Sequence, residues 1–218
     1  MNVKICGLST PETVAGAARA GASHVGFIFF ARSPRHVEPG HAAVCASAKG
    51  SARSVAVTVD ADDATLGAIV RALDPDMVQL HGRETPERVE ALRARFDRPV
   101  IKAIAMRDAA DLERVRLHDG IADILLLDAP PPEGAELPGG NGVGFDWSLV
   151  EGLQTRSPVW LSGGIDETNI ERAAAIARDP SNRIVGLDLS SGAESAPGVK
   201  DMARIDRLMR LAGMTRTA

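Results

Sequence analysis

Short apolar runs recur eight times along the chain, at residues 3–6, 24–29, 54–59, 77–80, 100–103, 124–128, 159–161 and 184–188. Between them lie segments rich in Ala, Arg, Glu and Leu whose apolar residues return every three to four positions. The first pattern reads as strands and the second as amphipathic helices. Helix starts are marked at 11–20 after Ser9 and Thr10, at 64–73, at 86–95 after Thr85, and at 167–178 after Asp166. At most of these starts a side-chain oxygen can cap free backbone N–H groups, and Pro11 and Pro86 suit a first helical turn. Successive runs stand about two dozen residues apart, the span a βαβ crossover needs. Their near-continuous apolar character suits a parallel sheet covered by helices. Eight units favour a closed barrel over an open doubly wound sheet, which usually has fewer strands and an early Gly-x-Gly-x-x-Gly turn. No such turn follows Cys6. The expected fold is α/β, a single-domain (β/α)8 TIM barrel over residues 1–218.

Composition narrows the partners. With 218 residues and 44% hydrophobic content the chain can bury one substantial core. A net charge of −4 and no run of five like charges argue against a nucleic-acid or membrane-surface partner and leave small anionic ligands open. Cys6 and Cys45 have neither a metal-knuckle spacing nor the number for a disulfide framework, so a reducing compartment is the simpler reading. The start Met1-Asn2-Val3-Lys4 has no basic segment followed by an apolar one, and no stretch is long enough to span a bilayer. A cytoplasmic protein is expected, acting as a monomer rather than a dimer. Of the 25 basic residues only 4 are Lys, a skew that reads as compositional bias.

One segment breaks the rhythm. From Ala129 to Val143 the chain carries Pro130-Pro131-Pro132 and Pro138-Gly139-Gly140-Asn141-Gly142, with no periodicity. The strand pattern resumes on both sides, so this is expected to be a long loop serving as a lid over the active face.

In a barrel the chemistry sits where strands end and the following loops begin. Those positions hold Cys6, Arg35, His81, Asp128, Gly163 with Gly164, and Asp188 with Ser190, Ser191 and Gly192. The loops after strands seven and eight are small and rich in donors, as a phosphate site requires. Cys6 is followed by Gly7, and Lys4 shares its face by strand alternation, so an ammonium beneath the thiol is expected to lower its pKa toward neutrality. Asp188 is the topological candidate to pair with that Lys4. Cys45, in a helical stretch at 42–48, is expected to pack against the barrel. Asp128 precedes a loop and no helix that it could cap, which favours an acid role. His81 has no companions at ligand spacing, so a substrate-contacting or structural role is expected and no metal site. Arg35 offers a guanidinium suited to a bidentate grip on a carboxylate.

Taken together these residues sit in motifs that form a pattern. Lys4-Ile5-Cys6-Gly7, Gly26-Phe27-Ile28-Phe29, Ser33-Pro34-Arg35-His36-Val37, Val78-Gln79-Leu80-His81-Gly82, Leu126-Leu127-Asp128, Gly139-Gly140-Asn141-Gly142, Leu161-Ser162-Gly163-Gly164-Ile165 and Asp188-Leu189-Ser190-Ser191-Gly192-Ala193-Glu194 occur in order, closing with Pro197-Gly198-Val199-Lys200-Asp201. The combination resembles the phosphoribosylanthranilate isomerase family of tryptophan biosynthesis. The resemblance implies a cofactor-free Amadori rearrangement of a phosphosugar. It implies Asp128 as general acid at the furanose ring oxygen and Cys6 as general base at C2. By the same resemblance Arg35 would hold the anthranilate carboxylate, His81 and Asp188 would contact substrate, and Gly163, Gly164, Ser190, Ser191 and Gly192 would hold the phosphate. Departures are confined to Val143-Gly144, where Lys or Thr is frequent nearby, and to His36 in place of a frequent Tyr.

Three other readings compete. A histidine-pathway aminoribosyl-phosphate isomerase would call for a carboxylate base where this chain has Cys6. A metal-dependent pentose-phosphate epimerase would need several converging ligands. A non-catalytic phosphosugar-binding barrel would keep the phosphate loops without the acid and the base.

Overall fold

A computed structural model describes residues 1–132, 134, 139, 140, 142 and 144–214. Eight strands, β1 Asn2–Cys6, β2 His24–Phe29, β3 Arg53–Thr58, β4 Met77–Leu80, β5 Val100–Ala105, β6 Ile124–Asp128, β7 Val159–Leu161 and β8 Ile184–Leu189, form a closed parallel barrel in chain order. Closure is made by β1 against β8, with Lys4 opposite Asp188. The doubly wound alternative is thereby excluded. Helices α1 Pro11–Arg19, α2 Pro39–Ala46, α3 Asp63–Leu73, α4 Pro86–Phe96, α5 Leu112–His118, α6 Ile170–Arg178 and α7 Met202–Leu211 complete the fold. Between β6 and β7 the described residues contain only the short 3-10 turn Trp147–Val150. Two short antiparallel strands, β9 Glu194–Ala196 and β10 Val199–Lys200, follow β8.

The caps act as the sequence suggests at Thr10, which accepts from Thr13 N–H, and at Thr85, which accepts from Arg88 N–H. The helix expected from 167 begins later, at Ile170. Asp166 Oδ1 accepts from Thr168 N–H at 2.8 Å while Asp166 N–H donates to Asn169 Oδ1 at 2.9 Å. These local bonds compete with the helical ladder and hold a turn instead. Helix α2 starts earlier than expected, at Pro39, whose fixed φ suits a first turn.

Strand alternation divides the core in two. Outward residues such as Val3, Ile5, Leu125 and Leu127 pack under the helices. Inward residues, among them Val55, Val57, Met77, Ile101, Leu126 and Trp160, fill the barrel, and Cys6 belongs to this inner set. The same period of two that makes Leu126 inward makes Asp128 inward at the strand end.

The Trp160 ring meets His24 edge-on, with centroids 4.7 Å apart and planes at 69°. Burial first, then the charges of Arg53 and Lys4, push the His24 pKa down to about 4. The unfolded chain binds that proton near 6.5, so between 6.5 and about 4 the unfolded state holds more protons than the folded one. The neutral imidazole thus leaves stability intact above pH 6.5, and stability is lost as pH falls toward 4. Urea midpoints measured across this window should fall for the wild type and fall less steeply for His24→Gln; parallel curves would contradict the assignment.

Candidate active site

The first cluster joins three strands. Lys4 Nζ donates to Asp188 Oδ1 at 2.8 Å, with the two side chains 0% and 5% exposed. A Cβ on Gly26 of β2 would lie 3.0 Å from Lys4 Cε and 3.1 Å from Cys6 Sγ. Glycine there leaves the space in which the ammonium and the thiol lie side by side. Burial would lower the Lys4 pKa, yet Asp188 and Cys6 together hold it above its usual value. For the thiol the outcome differs from expectation. Burial raises the Cys6 pKa, Lys4 lowers it, Asp188 raises it again, and the net shift is upward. The ammonium is beneath the thiol as expected, but its charge is largely neutralised by Asp188, so it limits the rise without reversing it.

The second cluster surrounds the carboxylate. Asp128, 6% exposed, accepts from Ala129 N–H at Oδ1 (2.9 Å) and faces His81 Nε2 at Oδ2 (3.2 Å). The Gln79 side-chain nitrogen lies 2.8 Å from His81 Nδ1. An amide donating to Nδ1 leaves the imidazole proton on Nε2, directed at Asp128. His81, without companions in the sequence, is therefore the partner of the acid. The loop carrying it is pinned by buried Lys102, which donates to Leu80 O, Gly82 O (2.8 Å) and Glu84 Oε2 (2.9 Å). Gly139 closes over the pair: a Cβ there would meet His81 Nε2 at 2.6 Å and Asp128 Oδ2 at 2.8 Å.

A third cluster was not foreseen. The Arg35 guanidinium grips Glu194 in bidentate fashion, Nε to Oε1 at 2.7 Å and Nη2 to Oε2 at 2.8 Å. Nη2 also donates to Gly140 O at 3.2 Å. The free fork expected for a substrate carboxylate is thus occupied by Glu194, which leaves Nη1, lying against Gly140. Lys200 Nζ donates to Glu194 Oε1 at 2.7 Å and to Ser190 O at 2.9 Å. Those contacts outweigh the burial that would raise the Glu194 pKa and hold it below the usual carboxylate range.

Cys6, Arg35, His81, Asp128 and Asp188 all line one cavity at the C-terminal mouth of the barrel. Gly163, Gly164, Ser190 and Ser191 also line it, and Gly192, close against Ile165 O, lines an adjoining depression together with Gly164 and Ser191. Gly163 and Gly164 both have positive φ, +82° and +63°, which glycine adopts without strain. Cys45 is buried in α2 beside His41, away from the cavity, as expected. Of the expected lid, Gly139, Gly140 and Gly142 border the cavity. Glu133, Pro138, Asn141, Val143 and the rest of 135–137 lie outside the described residues. Among the described residues no three His, Cys, Asp or Glu side chains converge as a metal set, and no helix is long and apolar enough to cross a membrane. Gln79, Lys102, Glu194 and Lys200 were missed as site residues. Gln79 and Lys102 had a signal, being polar residues inside apolar strands, where burial demands a partner.

The sequence profile of the N-(5'-phosphoribosyl)anthranilate isomerase family matches residues 3–210. The N-(5'-phosphoribosyl)anthranilate isomerase of Mesorhizobium japonicum is 54% identical over 211 residues, 96% of this chain and 94% of that one. The chain belongs to this family. The crystal structure of phosphoribosyl anthranilate isomerase from Thermotoga maritima is similar over 98% of both chains, with a TM-score of 0.85 at 30% identity. A structure of phosphoribosyl anthranilate isomerase in complex with reduced 1-(o-carboxyphenylamino)-1-deoxyribulose 5-phosphate superposes with a TM-score of 0.82 at 28% identity, again over 98% of each chain. Family membership thus agrees with the thiol, where the histidine-pathway alternative wanted a carboxylate.

Removing the ammonium beneath the thiol should be visible directly. In a Cys45→Ala background, the pH of half-maximal iodoacetamide labelling of Cys6 should lie above the ordinary thiol range and move higher still in Lys4→Met. An unchanged midpoint in a folded Lys4→Met protein would leave Lys4 as scaffold only.

Proposed function

We propose that this protein converts N-(5-phosphoribosyl)anthranilate to 1-(2-carboxyphenylamino)-1-deoxyribulose 5-phosphate without a cofactor. The observation that carries this reading, within the family, is that the Cys6 thiol and the Asp128 carboxyl enter a single cavity that is also lined by the two small, donor-rich loops. The phosphate rests on the loops at Gly163–Gly164 and at Ser190, Ser191 and Gly192. The anthranilate carboxylate meets the Nη1 edge of Arg35.

Asp128 gives its proton to the furanose ring oxygen. The C1–O bond breaks as the anthranilate nitrogen donates its lone pair, leaving an iminium ion. His81 Nε2–H then steadies the carboxylate so formed. Cys6, as thiolate, removes the C2 proton, and the electron pair neutralises the iminium as an enolamine. Tautomerisation of the enol gives the 2-ketone, so a hydrogen has moved within the molecule with no net oxidation. Lys4 stabilises the thiolate while Asp188 holds Lys4. Because the reaction needs Asp128 protonated and Cys6 ionised at once, kcat/KM should follow a bell in pH, and the limb set by Cys6, whose pKa burial raises, should lie in the alkaline range.

Each general acid or base contributes roughly 10²- to 10⁴-fold to rate. Cys6→Ala and Asp128→Asn should each lose turnover by that factor or more, followed by the fall in anthranilate-adduct fluorescence, while still binding the reduced product analogue. Activity above a tenth of wild type in either variant would overturn the assignment.

The monomeric reading rests on the surface. The large exposed hydrophobics among the described residues, Met1, Val44, Leu117 and Val199, are spread over the chain start just before β1, α2, α5 and β10. Such scattered residues do not form the contiguous patch an obligate dimer buries. Light scattering after size exclusion should give the mass of one chain at micromolar concentration; twice that mass would correct the reading.

A further inference from the structure

The mechanism above leaves two buried charges on the β9–β10 hairpin unused. Glu194 accepts four hydrogen bonds: from Arg35 Nε and Lys200 Nζ at Oε1, and from Arg35 Nη2 and Gly198 N–H at Oε2. Two cations therefore share one carboxylate, and the trio carries a net positive charge. The Lys200 side chain is 1% exposed. A surplus charge in so dry a place is costly unless an anion is available to it. Lys200 Nζ points at Ser190 O, and Ser190 Oγ is in turn 3.4 Å from Cys6 O. This chain of contacts ties the hairpin to the strand end that carries the thiol.

We propose that Lys200 is a second positioning residue of the base: held by Glu194 and by the carbonyl of Ser190, whose hydroxyl reaches the Cys6 carbonyl, its ammonium stabilises the thiolate that takes the C2 proton. The proposal rests on the reading of Cys6 as that base. The charges acting on the thiol are then Lys4 and Asp188 from β1 and β8 and Lys200 from β10. Arg35 and Glu194 act through Lys200, and Asp128 with His81 faces the thiol across the cavity. Lys4 is neutralised one-to-one by Asp188, whereas Lys200 shares its carboxylate with Arg35. Lys200 thus supplies the less compensated charge. The electrostatics agree in sign: Lys200 lowers the Cys6 pKa and Cys6 raises that of Lys200, against the burial that dominates each.

The test uses the full chain labelled with 13C at the lysine ε-carbons, where only 4 lysines give signals. In a Cys45→Ala background the Lys200 resonance, assigned through Lys200→Met, should show an inflection at the pH where Cys6 is half-alkylated by iodoacetamide. That inflection should vanish in Cys6→Ser. In Lys200→Met the labelling midpoint should rise by roughly one pH unit, the scale of a nearby opposite charge, with the pH profile of kcat moving alike. Lys200→Arg, keeping the charge, should restore part of the shift. A Lys200 resonance indifferent to Cys6, or a midpoint unmoved in folded Lys200→Met, would overturn the proposal. Both readouts are independent of turnover, so an active Cys6→Ala enzyme would refute the base assignment while leaving the coupling measurable.

Discussion

The ion pair between Lys4 and Asp188 lies across the seam where the first strand meets the last, and the rest of the site is arranged around it. Neither charge tolerates the barrel interior alone, since an unpaired buried ion costs several kcal/mol. Together they satisfy each other at 2.8 Å and fix which residues of β1 and β8 stand opposite. Slipping the register by one residue would turn Lys4 and Cys6 out toward the helices and bring Val3 and Ile5 inward. The pair thus links barrel closure to the position of the thiol, and Gly26 on β2 gives both side chains their room.

Around this seam the polar groups come in matched sets. His81 is held by Gln79 and directed at Asp128; Lys102 and Glu84 hold the loop from which His81 projects. Arg35 is held by Glu194, whose second cation is Lys200. The side chains that would touch a substrate are thereby each restrained by a partner behind them, so that little rotamer freedom remains to be lost on binding.

The barrel was legible because its signal is repetitive: eight apolar runs at crossover spacing leave few alternatives, period-two alternation put Lys4 on the face of Cys6, and the strand end marked Asp128. Helix boundaries were less legible where side chains bond to nearby backbone, as at Asp166 and Asn169. Partnerships between residues far apart in sequence were the least legible. Arg35 and Glu194 are separated by 159 positions, and nothing local to Arg35 says that its fork is taken. The sign of the Cys6 shift was missed for a related reason. Its charged neighbour could be read from strand alternation, but the degree of desolvation is a property of the packed barrel.

Three of the four lysines, Lys4, Lys102 and Lys200, have side chains no more than 1% exposed, in a chain whose other basic residues are Arg. An ammonium is compact and can be satisfied by one to three acceptors, whereas a guanidinium brings five donors in a rigid plane. Lys4 meets one carboxylate oxygen and lies beside the Cys6 thiol, too few partners for the five donors of a guanidinium. The compositional drift toward arginine therefore stops at the barrel interior. At Lys4 the choice of cation is governed by stereochemistry, and the residue that the composition favours elsewhere is the one the space refuses.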